Sequence, residues 1–287
     1  MNAVIEKNPH TGLDTEACYG ALGFSMAPFN ITPDTDFLLL QHQYREAYTS
    51  LRFGLASGSF TLLTGDVGLG KTLLCRQLIK NLPANVRTAY IFNPQQNYEE
   101  FLSSILYDLT GEMPTEVSSA RLHDSLFNVL ASFASRSIRV ALLIDEAHLL
   151  PPNLLEGLRM LSNLETDKRK LLSLLLVGQN ELERTLKLPA MRALRQRISV
   201  WYRLRPFTWR ESRDYIRHRL QVADASGRFH ITSTACLVAH RYAHGVPRRI
   251  NQICDRALLA AYSSYQHCVN AKLMRSAAKE VIALEAV

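Results

Sequence analysis

No apolar run in this chain of 287 residues approaches the ~20 residues that a membrane-crossing helix needs. The longest, "LLSLLLVG" (171–178), has the length of a strand. The opening stretch "MNAVIEKNPHTGLDTEACYG" has neither an apolar h-region nor an Arg-rich amphipathic face, so no export signal is expected. Cysteines are few and odd in number (Cys18, Cys75, Cys236, Cys254 and Cys268), and no two form a CxxC pair. That pattern argues against a disulfide framework or a zinc site and fits reduced thiols in the cytoplasm. No internal repeat or low-complexity segment is evident, which argues against a solenoid or a linker protein.

What is present fits one good core and a smaller second domain: 47% of residues are hydrophobic and 21% charged. The net charge of +7 is unevenly placed. Residues 184–256 hold sixteen Lys/Arg against four Asp/Glu, a net of +12, so the rest of the chain carries about −5. A basic region of this kind suits nucleic acid, acidic lipid, an acidic partner, or arginines assigned to phosphates in neighbouring active sites.

Residues 1–42 read as a polar tail followed by an irregular Pro-, Gly- and aromatic-rich segment, apolar enough to pack over the nucleotide-binding part. From Gln43 to Ser57, Tyr44, Ala47, Tyr48, Leu51 and Leu55 recur at helical spacing. Beyond Gly58, five short apolar runs alternate with periodic segments: "FTLLTG", "TAYIFNP", "RVALLIDEA", "LLSLLLVG" and "ISVWYRLRPF". This predicts an α/β domain over 43–207, with a five-stranded parallel sheet covered on both faces. From Thr208 the strand signals stop. Four amphipathic segments predict a small all-helical domain over 208–287, two of its helices preceded by Thr or Asn caps.

"GDVGLGKT" (65–72) matches G-x-x-x-x-G-K-[ST] between an apolar strand and a helical pattern. Gly65, Gly68 and Gly70 let the backbone wrap closely, so that the N–H groups of Gly65, Asp66, Val67, Gly68, Leu69, Gly70, Lys71, Thr72 and Leu73 can meet phosphate oxygens. The helix beginning there adds the positive end of its dipole. Lys71 is expected to reach the β- and γ-phosphates and Thr72 to ligate Mg²⁺. In "VALLIDEAH" (140–148) a buried strand ends in two carboxylates at the edge where open α/β sheets bind ligands. Asp145 is the candidate to hold Mg²⁺ with Thr72, and Glu146 the candidate to orient and deprotonate the attacking water. Together these motifs imply hydrolysis of a nucleoside triphosphate. "DEAH" invites a helicase reading, but the chain has no room for a second motor domain of that kind.

Further polar residues extend the site. Asn93 closes the second strand beside the Asp145–Glu146 strand; it is a candidate to hold Glu146 back from the water, or else an Asx turn before Pro94. Gln179 or Asn180, ending the fourth strand, could read the γ-phosphate, with a helix-capping Asn180 as the alternative. Arg192, Arg195 and Arg197 precede the fifth strand. Arg197, last before it, is best placed to project outward to a neighbouring molecule's transition-state charge, with Arg195 as the fallback. Arg248 in "GVPRRIN" opens a helix of the last domain and could fold onto the nucleotide.

In that order, phosphate loop, DE strand, end-of-strand polar residue, arginine before strand five and "GxPR" resemble an AAA+ ATPase. More narrowly, the chain resembles the ExeA/GspA family of secretion ATPases. Gly23-Phe24, Pro28-Phe29 and Thr32-Pro33-Asp34 carry this, with "GKTLLCR", "LRMLSNLETDKRKLL", "GQNEL", "LRQRI", "YIRHRL" and "GVPRRINQICDRALLAAY". The similarity runs from about residue 19 to 267. The sequence departs from the family at His148, where DEAQ is usual, and at Asn180, where GQPEL is usual. The transmembrane helix and peptidoglycan-binding domain of longer members have no counterpart here, which favours the shorter pilus-associated type. The resemblance implies ATP and Mg²⁺ as cofactors and an ATP-dependent homo-oligomer, possibly a ring. It also implies secretion or pilus assembly proteins as partners, at the cytoplasmic face of an inner membrane. The competing class is a DNA-associated AAA+ regulator of transposition. The basic region fits it by charge, but no winged helix follows the last domain and no stacking aromatics alternate with base-reading groups.

Overall fold

In the computed structural model, residues 15–92, 94, 97–115, 118–166, 169–223, 227 and 229–285 are described. The chain divides into two compact units: Pro33–Arg205, and Met1–Thr32 together with Pro206–Val287.

The first unit is built on five strands, β1 (Phe60–Thr64), β2 (Val86–Ile91), β3 (Arg139–Ile144), β4 (Leu172–Gly178) and β5 (Ile198–Arg203). They pair in the order β2-β3-β4-β1-β5, every pair parallel. Every residue of β1 and β4 is buried, as is all of β3 after Arg139, which is why these segments read as unbroken apolar runs. At the two edges, burial alternates instead. The connecting helices are α2 (His42–Ala56), α3 (Lys71–Lys80), α4 (Tyr98–Thr110), α5 (Ser119–Ser135), α6 (Pro152–Leu161), α7 (Asn180–Lys187) and α8 (Arg192–Arg197). Their ends are marked chemically. In α4, the Asn97 side chain accepts from the Glu100 N–H at 2.7 Å, and Gly111, at φ 82°, terminates the helix. Leu62, Leu142, Ile144, Leu174 and Leu176 form one core with Phe101, Ile105, Leu126, Leu130 and Leu158. An antiparallel pair, Glu165–Thr166 with Arg169–Lys170, precedes β4 and was not expected.

The second unit holds α1 (Thr15–Ala21), α9 (Trp209–Ala223), α10 (Ser233–Ala243), α11 (Pro247–Ser263) and α12 (Ala271–Glu285). Thr208 and Glu211 form a capping box at the start of α9: the Thr208 N–H donates to the Glu211 carboxylate at 2.7 Å, and the Glu211 N–H to the Thr208 hydroxyl at 3.4 Å. Among the described residues, four helices follow Thr208, as expected. A two-residue parallel pairing of His230–Ile231 with Cys268–Val269, too short to leave a periodic signal, ties together the approaches to α10 and α12.

The N-terminal segment does not stay in one piece. Residues 15–32 pack with the helices: Tyr19 donates to Asp255 at 2.6 Å, the buried Arg219 donates to the carbonyls of Pro28 (2.5 Å) and Asn30 (2.9 Å), and the Phe24 and Phe229 rings meet edge-on at 5.4 Å. Residues from Pro33 belong to the sheet unit, where Lys80 donates to Thr35 and Asp36, and Arg76 to the Pro33 carbonyl. The division at Thr32 follows from Arg219, whose guanidinium captures backbone carbonyls just before that point.

Candidate active site

The C-terminal ends of β1, β3 and β4 converge on the loop Gly65–Gly70, which leads into α3. Gly70 sits at φ 77°, and a Cβ there would come within 2.8 Å of the Tyr44 hydroxyl. That hydroxyl, reaching over from α2, donates to the Leu69 carbonyl at 2.7 Å and pins the loop. Leu69 is buried while Val67 is exposed, so the loop is anchored by one side chain and open at its tip.

Lys71 is buried (7% exposed), and its ammonium folds back onto the carbonyls of Gly65 (2.8 Å) and Asp66 (2.9 Å). Burial pushes its pKa down; the carboxylates of Glu146, Asp145 and Asp66 act in the opposite direction. Asp145 is fully buried. Its Oδ2 accepts from the Thr72 hydroxyl at 2.7 Å and from the Tyr90 hydroxyl at 3.0 Å, and its Oδ1 from the Glu146 N–H at 2.9 Å. Its own N–H donates to the Ile91 carbonyl at 2.8 Å, which fixes the end of β2 beside it.

Glu146 adopts φ 51°, ψ 33°, a left-handed conformation that costs a non-glycine residue on the order of 1 kcal/mol or more. Glu146 Oε2 lies 3.3 Å from His148 Nδ1, out of line for a hydrogen bond, and both atoms are otherwise buried without a partner. At the end of β4, Asn180 donates to the Asp66 carboxylate, whereas Gln179 caps α7 through its backbone alone. Of these two, Asn180 is the one joined to the phosphate loop. Asn93 lies outside the described residues.

Several groups escaped sequence reasoning. Thr64, the residue before Gly65, donates to the buried Glu183 at 2.6 Å and accepts from the Trp201 indole at 3.1 Å; Arg203 completes the group 3.5 Å from Glu183. Tyr44 and Tyr90 scored only as apolar rings in a periodic pattern, so their hydroxyls gave no signal.

The arginines separate. Arg195 donates to the carbonyls of Leu186 (3.3 Å) and Lys187 (3.4 Å), capping the C-terminal end of α7. Arg197 is exposed at the start of β5, beside a groove of about 300 Å³ lined by Ser57, Gly58, Lys170 and Ser199. Thr64, at the phosphate-loop end, pairs in register with Arg203. Six residues of strand therefore separate Arg197 from that level, ~20 Å at the rise of a β-strand, beyond the reach of one side chain. Arg248 is exposed in the first turn of α11, within the helical unit. The preceding Gly245 is at φ 73°, where a Cβ would collide with the Phe207 carbonyl at 2.2 Å.

The donor chemistry fits Mg²⁺. A hydroxyl and a buried carboxylate, both hard oxygen donors, stand side by side under a phosphate-sized loop, and Mg²⁺ is held by one or two such groups plus waters and phosphate oxygens.

Residues 55–186 match the family model described as an AAA domain. General secretion pathway protein A of Aeromonas hydrophila is 39% identical over 246 residues, 85% of this chain; the match covers 45% of that protein, so the chain spans about half its length. Among solved structures, the Aeropyrum pernix ORC2 protein in its ADPNP–ADP complexes superposes with a TM-score of 0.68 at 18% identity, covering 90% of this chain and 72% of that one. Cdc6p from Pyrobaculum aerophilum gives 0.69 at 20% identity, covering 88% and 70%. At these identities the superpositions speak for the fold. Residues 55–186 thus form an AAA domain, and over 85% of its length the chain is similar to general secretion pathway protein A.

Proposed function

We propose that this chain couples ATP hydrolysis to the assembly or remodelling of a secretion or type IV pilus machinery at the cytoplasmic face of an inner membrane. The hydrogen bond from Thr72 to the buried Asp145, directly beneath the loop that carries Lys71, supports the chemical half. In this mechanism the loop N–H groups and Lys71 hold the β- and γ-phosphates, Lys71 exchanging its loop carbonyls for phosphate oxygens. Thr72 and Asp145 would hold Mg²⁺, which would supply positive charge against the phosphates. Glu146 takes a proton from the water that attacks the γ-phosphorus; the bond to ADP breaks and phosphate leaves. Asn180 senses the γ-phosphate through its tie to Asp66, with Gln179 as the neighbouring candidate. Arg248 is a further proposed nucleotide-binding residue. Arg197 serves a neighbouring subunit's nucleotide, which makes the active form a homo-oligomer.

The biological half draws on the likeness to general secretion pathway protein A, and an MSHA-type pilus is the specific system we propose. Deleting the gene should reduce surface pili or secreted cargo. The wild-type gene should restore them, and Glu146→Gln, which keeps the phosphate cradle but loses the base, should not. Normal pili and secretion after deletion would end the proposal; restoration by Glu146→Gln would show that hydrolysis is not what the machinery uses.

The +12 stretch at 184–256 favours a second proposal, a DNA-associated regulator. Its test is a DNA titration at low and moderate salt. Binding that survives moderate salt, or that prefers a sequence, would put this proposal ahead of the first.

A further inference from the structure

β2 is an edge strand, and its burial alternates: Ala89 and Ile91 enter the core with α4 and α5, so Tyr90 points to the opposite face. That is the face of α3, where the Tyr90 hydroxyl meets the end of β3 and Thr72 of α3 at one carboxylate, that of Asp145. A ring alone would satisfy burial there. The hydroxyl is extra, and it donates to Asp145 Oδ2 at 3.0 Å.

We propose that Tyr90 is a positioning residue for the divalent metal, fixing the plane of the Asp145 carboxylate beside the Thr72 hydroxyl. This rests on the assignment of Thr72 and Asp145 to Mg²⁺. The carboxylate is held at both ends: Oδ1 by the Glu146 N–H and Oδ2 by Tyr90. Thr72 donates to the same Oδ2 and keeps its lone pairs for the metal, while Tyr90 holds that oxygen from the edge-strand side. Tyr90 is in turn fixed from outside the sheet, its N–H donating to the Asp108 carboxylate of α4 at 2.5 Å. Through these bonds α4, the edge strand and the metal-facing carboxylate form one connected path. Outer-shell donors of this kind typically change metal affinity by ~10–100-fold when removed.

The test is Tyr90→Phe, which keeps the ring. Mn²⁺ is titrated into the full-length protein saturated with ADP and followed by electron paramagnetic resonance, and ADP affinity is measured separately in chelator. The expected result is Mn²⁺ binding weakened by ~10-fold, with ADP affinity in chelator unchanged, which also certifies the fold. Thr72→Ala and Asp145→Asn are run alongside. If these two weaken Mn²⁺ binding and Tyr90→Phe does not, the role of Tyr90 is overturned while the metal assignment stands. If all three leave Mn²⁺ affinity at the wild-type level, the metal assignment itself falls.

Discussion

At the C-terminal ends of β1, β3 and β4, polar side chains are buried and bonded to one another: Thr64 to Glu183, Thr72 and Tyr90 to Asp145, Lys71 to its own loop. At the opposite ends of the sheet charged groups reach the surface, with Arg197 beside the Glu165–Lys170 ion pair and a shallow groove. The first edge holds Asp145 and Glu183 in place through hydrogen bonds, the kind of preorganisation that electrostatic catalysis uses. The second edge lacks a phosphate-binding loop of its own and presents its arginine outward. One sheet thus carries a finished pocket at one end and a projecting cation at the other, about 20 Å apart by strand rise.

If that division is functional, the largest effect comes from the exposed end. Arg197→Ala should leave ATP binding intact and lower turnover by ~10³-fold, the lower end of what a trans-acting arginine supplies in known cases. Mixing it with Lys71→Ala should restore part of the activity, since each variant supplies what the other lacks. Turnover per subunit that stays flat on dilution, with Arg197→Ala fully active, would leave the second edge without a catalytic role.

A smaller effect is expected at the buried end. Thr64→Val keeps the shape but removes a hydrogen bond to the buried Glu183 and the acceptor of the Trp201 indole. The loss should be roughly 1–3 kcal/mol of stability. In a domain of this size that lowers the melting temperature by roughly 2–4 °C for each kcal/mol, readable by calorimetry. An unchanged melting temperature would mean the network is slack.

The smallest belongs to the exposed pair. Lys170, and then Arg197, hold the Glu165 carboxyl below its usual pKa, yet the group is in solvent. Glu165→Gln should not move the melting temperature measurably, because exposed ion pairs are screened. A clear drop would show that the Glu165–Lys170 turn is structural after all.

The parts of this architecture legible in the sequence were those with local repetition. The five apolar runs, the helical spacing of α2 and the four helices after Thr208 each announce themselves within a dozen residues. The phosphate loop and the DE turn were legible because their chemistry demands fixed spacing. Tyr90 and Asp145 are 55 residues apart, Thr64 and Glu183 119, and Trp201 and Thr64 137. No periodic pattern links such pairs, and a tyrosine in an apolar register looks the same whether or not its hydroxyl has a partner. The fate of residues 15–32 was hidden for the same reason, since it depends on Asp255, Phe229 and above all the arginine Arg219, all far along the chain.

That arginine also has a consequence for the order in which the protein can mature during translation. Pro28 and Arg219 are 191 positions apart, Tyr19 and Asp255 236. At synthesis rates of ~5–20 residues per second, the N-terminal segment waits roughly 10–50 s for its partners while the whole sheet unit is made in between. Phe24 and Phe29, buried in the finished protein, have no site to occupy in that interval. Among the described residues, the earliest made are therefore among the last to fold, and during that wait their aromatic side chains are open to chaperones and to aggregation.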